Sequence, residues 1–447
     1  MARQYFGTDG IRGRVNTPPM TAESALRLAI AAARTFAPEG RRDVVIGRDT
    51  RRSGEMIEAA LVAGLTSMGL TPVLLGIVPT PAVALMTRET GAALGLMVSA
   101  SHNKADDNGL KLFSPDGIKL TDETEEALEA AMASAFEGNY AAPAAISMPR
   151  PLAGAAALYL ERCLETMGPD TDFSGLKIVL DCAHGAAFEV GPQALKRLGA
   201  DMTVIGNQPD GLNINAGVGS TSTDLLKSTV VGQKADIGIA FDGDADRLIV
   251  IDELGEEVDG DQVMALIARD LHTAGRLRGD GMVATVMSNM GLAEFLKGMG
   301  LTLARTKVGD RYVGEHMRQH GFNLGGEQSG HIILSDVSTT GDGLLAALQV
   351  LRTVATSGRP ASSVLRVFDP APQKMINIRF NGRNPLESST VRSAISEAES
   401  LLGERGRMVV RKSGTEPLIR VMSEALDEDL MKHALSLVVT AVEAEAG

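Results

Sequence analysis

Ser101 is the residue whose type and position first suggest catalysis. The apolar run 95–98 predicts a buried strand, and small and polar residues follow it directly, so we expect Ser101 at the end of a strand. A serine beside a histidine suggests an activated hydroxyl. However, adjacent residues on an extended chain point to opposite faces, so His102 is poorly placed to act as the base of Ser101. No G-x-S-x-G turn surrounds Ser101 either, and both features disfavour a serine hydrolase.

Three carboxylates alternate in a second polar segment, at Asp242, Asp244 and Asp246. We predict a loop here, because like charges in a row on one strand face would repel one another. Hard oxygen ligands this close together indicate a divalent cation, and Mg²⁺ if a phosphate supplies further oxygens. An EF-hand is disfavoured, because Arg247 stands where that loop needs glycine and the run 248–251 predicts a strand. A solvated acidic turn is the non-functional alternative.

A third polar segment, 326–331, contains several glycines and two groups suited to sugar hydroxyls. Glu327 offers an acceptor, and Ser329 offers a hydroxyl that can donate or accept. Glycine-rich hairpins are often purely structural, so the sequence leaves both interpretations open.

A fourth polar segment combines arginines, hydroxyls and a glycine in an otherwise acidic protein. Its members are Arg411, Ser413, Gly414, Thr415 and Arg420. Such groups form a cradle for an anion, and a substrate phosphate is the natural ligand, with a charged surface turn as the alternative. The glycine-rich start, 6–13, also suits a phosphate or a phosphoserine, because Arg12 lies among open backbone amides.

A recurring pattern of elements positions these segments. Strands flank a helix at 44–47 and 73–76, at 178–180 and 203–206, and at 283–286 and 303–306. After each copy comes a further apolar run, then one of the first three polar segments, then another apolar run. Strand-helix-strand units with short turns imply parallel sheets covered by helices. We therefore predict an α/β protein with three related α/β domains of mixed, largely parallel sheets and a smaller C-terminal α+β domain around a central cleft.

The predicted linkers divide the chain into four domains. The Ala/Pro-rich stretch 141–151, the turn-rich acidic run 252–258 and the segment 357–372 separate the copies. We expect domains at 1–150, 151–254, 255–366 and 367–447.

Composition restricts partner and compartment. The net charge of −13 argues against nucleic acid or an anionic membrane surface as a partner, since both repel an acidic protein. The first residues do not form a signal peptide, and no apolar run approaches the roughly 20 residues of a membrane span, so we expect a cytoplasmic protein. Cys163 and Cys182 are too few for a disulfide framework or a zinc site, and we expect buried thiols. A homodimer is compatible with these features.

Together, the motifs resemble those of the α-D-phosphohexomutases. The likeness runs from Phe6 to Arg420 and keeps the family's order of motifs. It implies that Ser101 is a phosphoserine and that Asp242, Asp244 and Asp246 bind one Mg²⁺ per subunit together with a phosphoserine oxygen. It also implies a sugar and phosphate site formed by Arg247, Glu327, Ser329, Arg411, Ser413, Gly414, Thr415 and Arg420. Lys104 is a departure, since relatives often have proline there; a more flexible loop would follow, without putting the phosphoserine in doubt.

The resemblance further implies the reaction. Phospho-Ser101 would give its phosphoryl group to one end of a hexosamine phosphate, and the bisphosphate would turn over and return its other phosphate, interconverting the 6- and 1-phosphates of glucosamine. A hexosamine or hexose 1,6-bisphosphate would be the activator, and the product would supply UDP-N-acetylglucosamine and cell-wall precursors. Lys111, His331 and Arg12 are the candidate bases, unranked by sequence. The alternatives are glucose or mannose phosphates as substrates, and a non-catalytic sugar-phosphate or cation-binding protein.

Overall fold

The first sheet carries Ser101 in one of its turns. The computed structural model describes residues 5–7, 9–36, 40–412 and 418–446. The strands of this sheet are β1 (Ile11–Arg14), β2 (Asp43–Arg48), β3 (Thr71–Ile77), β4 (Leu94–Val98), β5 (Asp107–Phe113) and β6 (Arg150–Pro151). The accompanying helices are α1 (Ala22–Phe36), α2 (Ser53–Ser67), α3 (Thr80–Glu89) and α4 (Asp122–Ala133). The strand order is β1-β5-β4-β2-β3-β6, and β2 is parallel to β3 and β4 whereas β5 is antiparallel to β4.

The second sheet carries the loop of Asp242, Asp244 and Asp246, which we call the acidic loop. Its elements are α5 (Ala155–Leu164), β7 (Lys177–Asp181), α6 (Val190–Arg197), β8 (Asp201–Ile205), α7 (Asp224–Gln233), β9 (Ile237–Phe241), β10 (Leu248–Asp252) and β11 (Glu257–Val258). The order is β11-β10-β9-β7-β8, with β7 parallel to both β8 and β9. The run 252–258 includes the turn of a hairpin at the end of this unit, because β11 pairs with β10.

The third sheet carries the segment 326–331. Its elements are α8 (Gly260–Thr273), β12 (Gly281–Thr285), α9 (Met290–Gly298), β13 (Thr302–Thr306), α10 (Asp310–His320), β14 (Leu324–Gly326), β15 (Ile332–Leu334), α11 (Gly343–Ser357) and α12 (Ala361–Leu365). The order is β13-β12-β14-β15, and β12 is parallel to β13 and β14.

The fourth sheet is antiparallel and smaller. Its elements are β16 (Gln373–Arg379), α13 (Ser389–Leu402), β17 (Gly406–Lys412), β18 (Leu418–Ala425) and α14 (Glu428–Glu445), in the strand order β16-β18-β17. Short 3₁₀ turns lie at Pro143–Ala145, Pro385–Glu387 and Gly403–Arg405. We refer to the four sheets with their helices as the first, second, third and fourth units.

The predicted α/β fold is confirmed, and the repeat explains where the polar loops lie. In each of the first three units a parallel strand is followed by an antiparallel one, as β4-β5, β9-β10 and β14-β15. The polar loop lies in the connection between the two, so equivalent turns of three sheets carry different chemistry. The leading strands are buried along their length, which accounts for their continuous apolar sequence.

The first three units share one apolar core, and the fourth unit has its own. One apolar core runs through the second and third units and extends to α3 and one face of the first sheet. The fourth unit has a separate core between its sheet, α13 and α14. Cys163 and Cys182 are free and buried, as predicted. Within the described ranges, no helix is both long and apolar enough to cross a membrane. The domain limits at 150, 254 and 366 stay a prediction.

Candidate active site

Ser101 lies in the turn from β4 to β5 in a left-handed conformation, with φ of 53°. Its hydroxyl is buried and donates to Oδ2 of Asp242 at 2.5 Å. The expectation that His102 points away from Ser101 is wrong, because it assumed an extended backbone; Nδ1 of His102 lies 3.4 Å from the hydroxyl. Burial and the charges of Arg247 and Arg12 lower the pKa of His102 to about 4, so its ring is neutral. The Ser101 hydroxyl therefore donates to a carboxylate of the second unit.

The three aspartates of the acidic loop meet, as predicted. A carboxylate oxygen of Asp242, one of Asp244 and one of Asp246 lie within 4.8 Å of one another, and all three residues are buried. Oδ1 of Asp244 and Oδ1 of Asp246 are buried without a hydrogen-bond partner in the described part of the chain. Burial and the two neighbouring carboxylates raise the pKa of Asp242 to about 8. Oxygen donors with unused lone pairs and mutual repulsion fit a divalent cation of the Mg²⁺ class.

Lys111 lies beneath the acidic loop. Its Nζ is 2.7 Å from Oδ2 of Asp244 and 2.7 Å from Oδ2 of Asp246, and it is 3.5 Å from Asp9. Burial would lower the pKa of Lys111, but these carboxylates outweigh it and raise that pKa well above its ordinary value. Lys111 thus holds one oxygen of each aspartate; Oδ1 of Asp244 has no hydrogen-bond partner among the described residues, whereas Oδ1 of Asp246 faces Nδ1 of His331 at 3.6 Å.

A second group of charges joins the first and third units, and sequence reasoning missed it. Nζ of Lys119 lies 2.6 Å from Oδ1 of Asp9 and 2.6 Å from Oδ2 of Asp310. Asp9 also pairs with Arg12, one of the predicted residues. Of these pairs, only that of Lys119 with Asp310 joins two units, and no local motif marks it because its two residues are far apart in the chain. A signal was present only in the glycine-rich start, where Asp9 and Arg12 both lie.

His331 is buried between two carboxylates. Its Nε2 is 2.9 Å from Oδ2 of Asp310, and its Nδ1 is 3.6 Å from Oδ1 of Asp246. Burial opposes protonation, but the two carboxylates outweigh it and raise the pKa of His331 to about 10. The backbone N–H of Gly341 also points to Nε2, at 3.0 Å. Asp310 can accept a proton carried on Nε2 and Gly341 can donate to a bare Nε2, so either protonation state has a partner.

The segment 326–331 joins directly to the acidic loop. Arg247 and His331 form an isolated antiparallel bridge, and the N–H of Leu248 donates to the carbonyl of Gly330 at 3.0 Å. Gly330 has φ of 88°, and a Cβ there would lie 2.0 Å from the carbonyl oxygen of Leu248, so glycine is required for this close approach.

Glu327 and Ser329 differ in their surroundings. Oε1 of Glu327 accepts from the N–H of Gly309 at 3.1 Å, and burial followed by the charge of Asp310 raises the pKa of Glu327. Ser329 is exposed in the same turn. Glu327 therefore lines the cleft, whereas Ser329 is exposed and is not among the described residues that line it.

Arg411 and Arg420 face each other across β17 and β18, as register partners. Burial and the charge of Arg420 lower the pKa of Arg411, and Nε of Arg420 is buried with no hydrogen-bond partner among the residues described. Like charges directly opposite are unfavourable without an anion between them, so this pair fits a phosphate. Ser413, Gly414 and Thr415 lie outside the described residues.

One cleft of about 710 Å³ brings most of these groups together. Its walls include Asp9, Arg12, His102, Lys119, Asp246, Arg247, Asp310, Glu327, His331, Arg411 and Arg420. Its volume is in the range of small-molecule sites, and all four units contribute to it. The site can thus surround a small anionic, hydroxylated ligand with cations at both ends.

Comparisons with known proteins agree along the whole chain. Four family models match: phosphoglucomutase/phosphomannomutase alpha/beta/alpha domains I, II and III at residues 3–138, 157–255 and 259–370, and the C-terminal domain at 375–440. Phosphoglucosamine mutases from Hyphomonas neptunium and Parvibaculum lavamentivorans are 74% and 52% identical to this chain, each over the full length of both chains. A phosphoglucomutase/phosphomannomutase family protein from Burkholderia thailandensis has the same fold, with a TM-score of 0.83 at 23% identity over 98% of this chain and 96% of its own.

Proposed function

The chain belongs to the phosphoglucomutase/phosphomannomutase family and is an isomerase, and from this premise we propose that it interconverts glucosamine 6-phosphate and glucosamine 1-phosphate. The observation that carries the proposal is the hydrogen bond from Ser101 to Asp242, because His102, the residue after Ser101, lines the same cleft as Arg411 and Arg420. A nucleophile beside a cation site and a distal anion cradle are the parts that phosphoryl transfer within one substrate requires. The amino sugar is proposed because curated relatives of high identity carry that activity in their names.

In the proposed reaction Ser101 carries a phosphoryl group. The bond between this phosphorus and Oγ of Ser101 breaks as a sugar hydroxyl oxygen bonds to the phosphorus. The hydroxyl proton passes to a base, and the released Oγ of Ser101 takes up a proton to become a hydroxyl. The resulting bisphosphate turns over in the cleft, and its other phosphoryl group returns to Ser101 by the reverse step. Arg411 and Arg420 hold whichever phosphate is not reacting.

The cation belongs at Asp242, Asp244 and Asp246, and when bound it offsets the charge that develops on the transferring phosphoryl oxygens. Lys111 keeps Asp244 and Asp246 in place through their other oxygens. Mg²⁺, one ion per subunit, is the proposed metal, and a hexose or hexosamine 1,6-bisphosphate is the proposed activator that first phosphorylates Ser101.

The three candidate bases differ in charge and in their access to the cleft. An arginine is not deprotonated in proteins, so Arg12 can bind a negatively charged group but cannot act as a base. His331 lines the cleft, whereas Lys111 is buried beneath the acidic loop. Although burial opposes protonation, neighbouring carboxylates raise the pKa of His331 to about 10 and that of Lys111 well above its ordinary value, so either residue must lose a proton before it can act as the base. Contact with the reacting hydroxyl is the first requirement of a base.

The product has a consequence for the cell. A glucosamine 1-phosphate would enter the synthesis of UDP-N-acetylglucosamine and cell-wall precursors, and we propose this role in the cytoplasm, with a homodimer as the proposed assembly.

The test combines intact mass with a substrate panel. The purified protein, incubated with glucose 1,6-bisphosphate, should gain one phosphate, and Ser101→Ala should gain none and lose turnover. The phosphorylated enzyme should convert glucosamine 6-phosphate with a higher kcat/KM than glucose 6-phosphate or mannose 6-phosphate. A preference for either hexose phosphate would replace the proposed substrate, and full activity of Ser101→Ala would refute the phosphoserine.

A further inference from the structure

Arg51 is a fully buried arginine whose guanidinium uses all its donors. Nε donates to Oδ2 of Asp49 at 2.8 Å. Nη1 donates to the carbonyl oxygens of Lys104 at 2.5 Å and Asp107 at 2.9 Å, and Nη2 donates to those of Ser101 at 2.9 Å and Asn103 at 2.7 Å. A guanidinium has five N–H groups, and here each has an acceptor. Three of these acceptors belong to the loop that carries Ser101, and a fourth is the carbonyl of Asp107, where β5 begins.

The loop itself supplies few hydrogen bonds. Between the ends of β4 and β5, its backbone bonds include those from the N–H of Asn103 to Ala100 and from the N–H of Asp107 to Lys104. Ser101 adopts φ of 53°, a region that non-glycine residues occupy only when their surroundings impose it. The convergence of four carbonyl groups on one cation is the feature that can impose it.

The second unit contacts the same carbonyl groups from the other side. Nδ2 of Asn215 donates to the carbonyl oxygens of Ser101 and Asn103, both at 2.9 Å. Gly243 lies so close that a Cβ there would be 2.6 Å from the carbonyl oxygen of Ser101. The carbonyl oxygen of Ser101 therefore accepts one hydrogen bond from Arg51 of the first unit and one from Asn215 of the second. The hydroxyl of Ser101 donates to Asp242.

We propose that Arg51 is a positioning residue for phosphoryl transfer at Ser101. Its planar set of donors fixes the backbone of the serine loop, the segment between β4 and β5. Asn215 adds donors to two of the same carbonyl groups, and we call Arg51 and Asn215 together the clamp. The clamp keeps Oγ of Ser101 directed at the acidic loop. A structural role in folding alone would not require the carbonyl of the nucleophile to be held from two units. This inference rests on the proposed function, because it assigns a positioning role for that reaction.

The test replaces Arg51 by lysine, which keeps the charge but has three donors on a single nitrogen and cannot reproduce the planar set. In Arg51→Lys we expect kcat to fall on the order of 10²-fold, as expected when a reacting group is displaced by about 1 Å. The KM for glucosamine 6-phosphate should stay near that of the parent, since the sugar and distal phosphate contact other residues. Phosphate uptake by Ser101 from glucose 1,6-bisphosphate, followed by intact mass without any sugar monophosphate, should slow by a similar factor.

The matched control is Arg48→Lys. Arg48 lies on the same segment and pairs with Glu55 and Glu58 away from the loop, so this variant should keep the parent's kcat and phosphate uptake. An Arg51→Lys protein with the parent's kcat and uptake, or one in which KM rises as much as kcat falls, would overturn the inference.

Asn215→Gly provides a second variant if Arg51→Lys does not fold. Asn215 has φ of 56°, which glycine adopts without strain, so the change removes the donor and leaves the turn. We expect the same pattern, a lower kcat and slower uptake at unchanged KM, and unchanged uptake would contradict the clamp. If the parent protein takes up no phosphate and has no mutase activity, the proposed function fails; if the parent is active and both variants match it, only the role of Arg51 fails.

Discussion

The two carboxylate oxygens of Asp244, in the acidic loop, have different surroundings. Oδ2 of Asp244 accepts from Lys111 at 2.7 Å and from the hydroxyl of Thr80, whereas its Oδ1 has no hydrogen-bond partner in the described ranges. The first contacts hold the side chain without help from a cation. A loop built in this way is already in position before the cation binds, which lowers the cost of binding.

The residue-scale prediction is that Asp244→Asn loses its response to Mg²⁺ while remaining folded. The amide keeps the shape and can still accept from Thr80, but it removes the charge that attracts a hard cation. In the parent, Mg²⁺ at about 100 times its Kd should stabilise the fold by about 2.7 kcal/mol, and the variant should lose most of this gain together with metal-dependent turnover.

Thermal unfolding with and without Mg²⁺ measures this effect. Asp201→Asn, at an exposed position of the same unit, is the control and should respond as the parent does. An Asp244→Asn protein with the parent's Mg²⁺ response would rule out the acidic loop as the metal site.

At the scale of elements, the hairpin of β17 and β18 explains how the fourth unit contributes to the cleft. The antiparallel register places Arg411 opposite Arg420, and strands alone fix that pairing. Two cations held side by side by backbone hydrogen bonds are prepared for an anion whether or not one is bound. In the proposed reaction, β17 and β18 would position the distal phosphate through Arg411 and Arg420.

The prediction for this element is that Arg420→Ala weakens turnover of the 6-phosphate and the 1-phosphate alike. A charge-assisted hydrogen bond is worth roughly 1.5–3 kcal/mol, so kcat/KM should fall about 10- to 100-fold in each direction. The phosphate content of Ser101 should remain at the parent's level, because loss of that phosphate needs no cradle whereas productive orientation of the sugar does.

The control is Arg383→Ala, which removes an exposed arginine of the same unit and its pair with Glu387. Forward and reverse assays of both variants decide the question. A loss confined to one direction would mean that the hairpin binds one phosphate position, and the reorientation of a bisphosphate over a single cradle would be wrong.

At the scale of the whole molecule, the first turn of α10 joins the third unit to the first. Lys119 reaches Asp310, Arg311 reaches Glu125 at 2.9 Å and Asp122 at 2.6 Å, and the hydroxyl of Tyr312 donates to Asp122. These contacts are buried or partly buried and lie beside the cleft. Because Asp310 also contacts His331, the joint between the units sets the position of cleft residues.

We predict that Arg311→Met lowers the free energy of unfolding by roughly 3–5 kcal/mol. The reason is that the variant leaves the carboxylate of Glu125 buried without this cationic partner. The KM for the sugar phosphate should rise as well, because Asp310 and His331 lose the contact that fixes their helix. Urea unfolding and steady-state kinetics provide the two measurements.

Arg278→Met is the matched change, because it removes an exposed arginine of the same unit and its pair with Asp336. An exposed pair contributes about 0–1 kcal/mol, so this variant should differ little from the parent. If Arg311→Met unfolds at the parent's urea concentration, the joint on α10 does not stabilise the contact between the units.

The sequence by itself determined the strands, the repeat and the residues of the polar loops. These are local properties: the apolar runs of β4, β9 and β14 differ abruptly from the polar residues after them, and the carboxylates of the acidic loop are close in the chain. The position of the loops also followed, because equivalent turns of repeated units lie at equivalent sheet edges. The antiparallel pairing of β11 with β10 did not follow, since a two-residue strand has too short a pattern to recognise.

Only the tertiary structure decided which charges meet and how Ser101 is held. Lys119 and Asp310 come from different sheets, and Arg51 and Asn215 reach the same carbonyl oxygen from different units. Contacts of this kind form only when one unit packs against another. The periodicity of apolar residues along the chain does not predict that packing. The conformation of Ser101 belongs to the same class: an isolated chain favours extended backbone there, and the left-handed φ exists because surrounding donors compensate its cost.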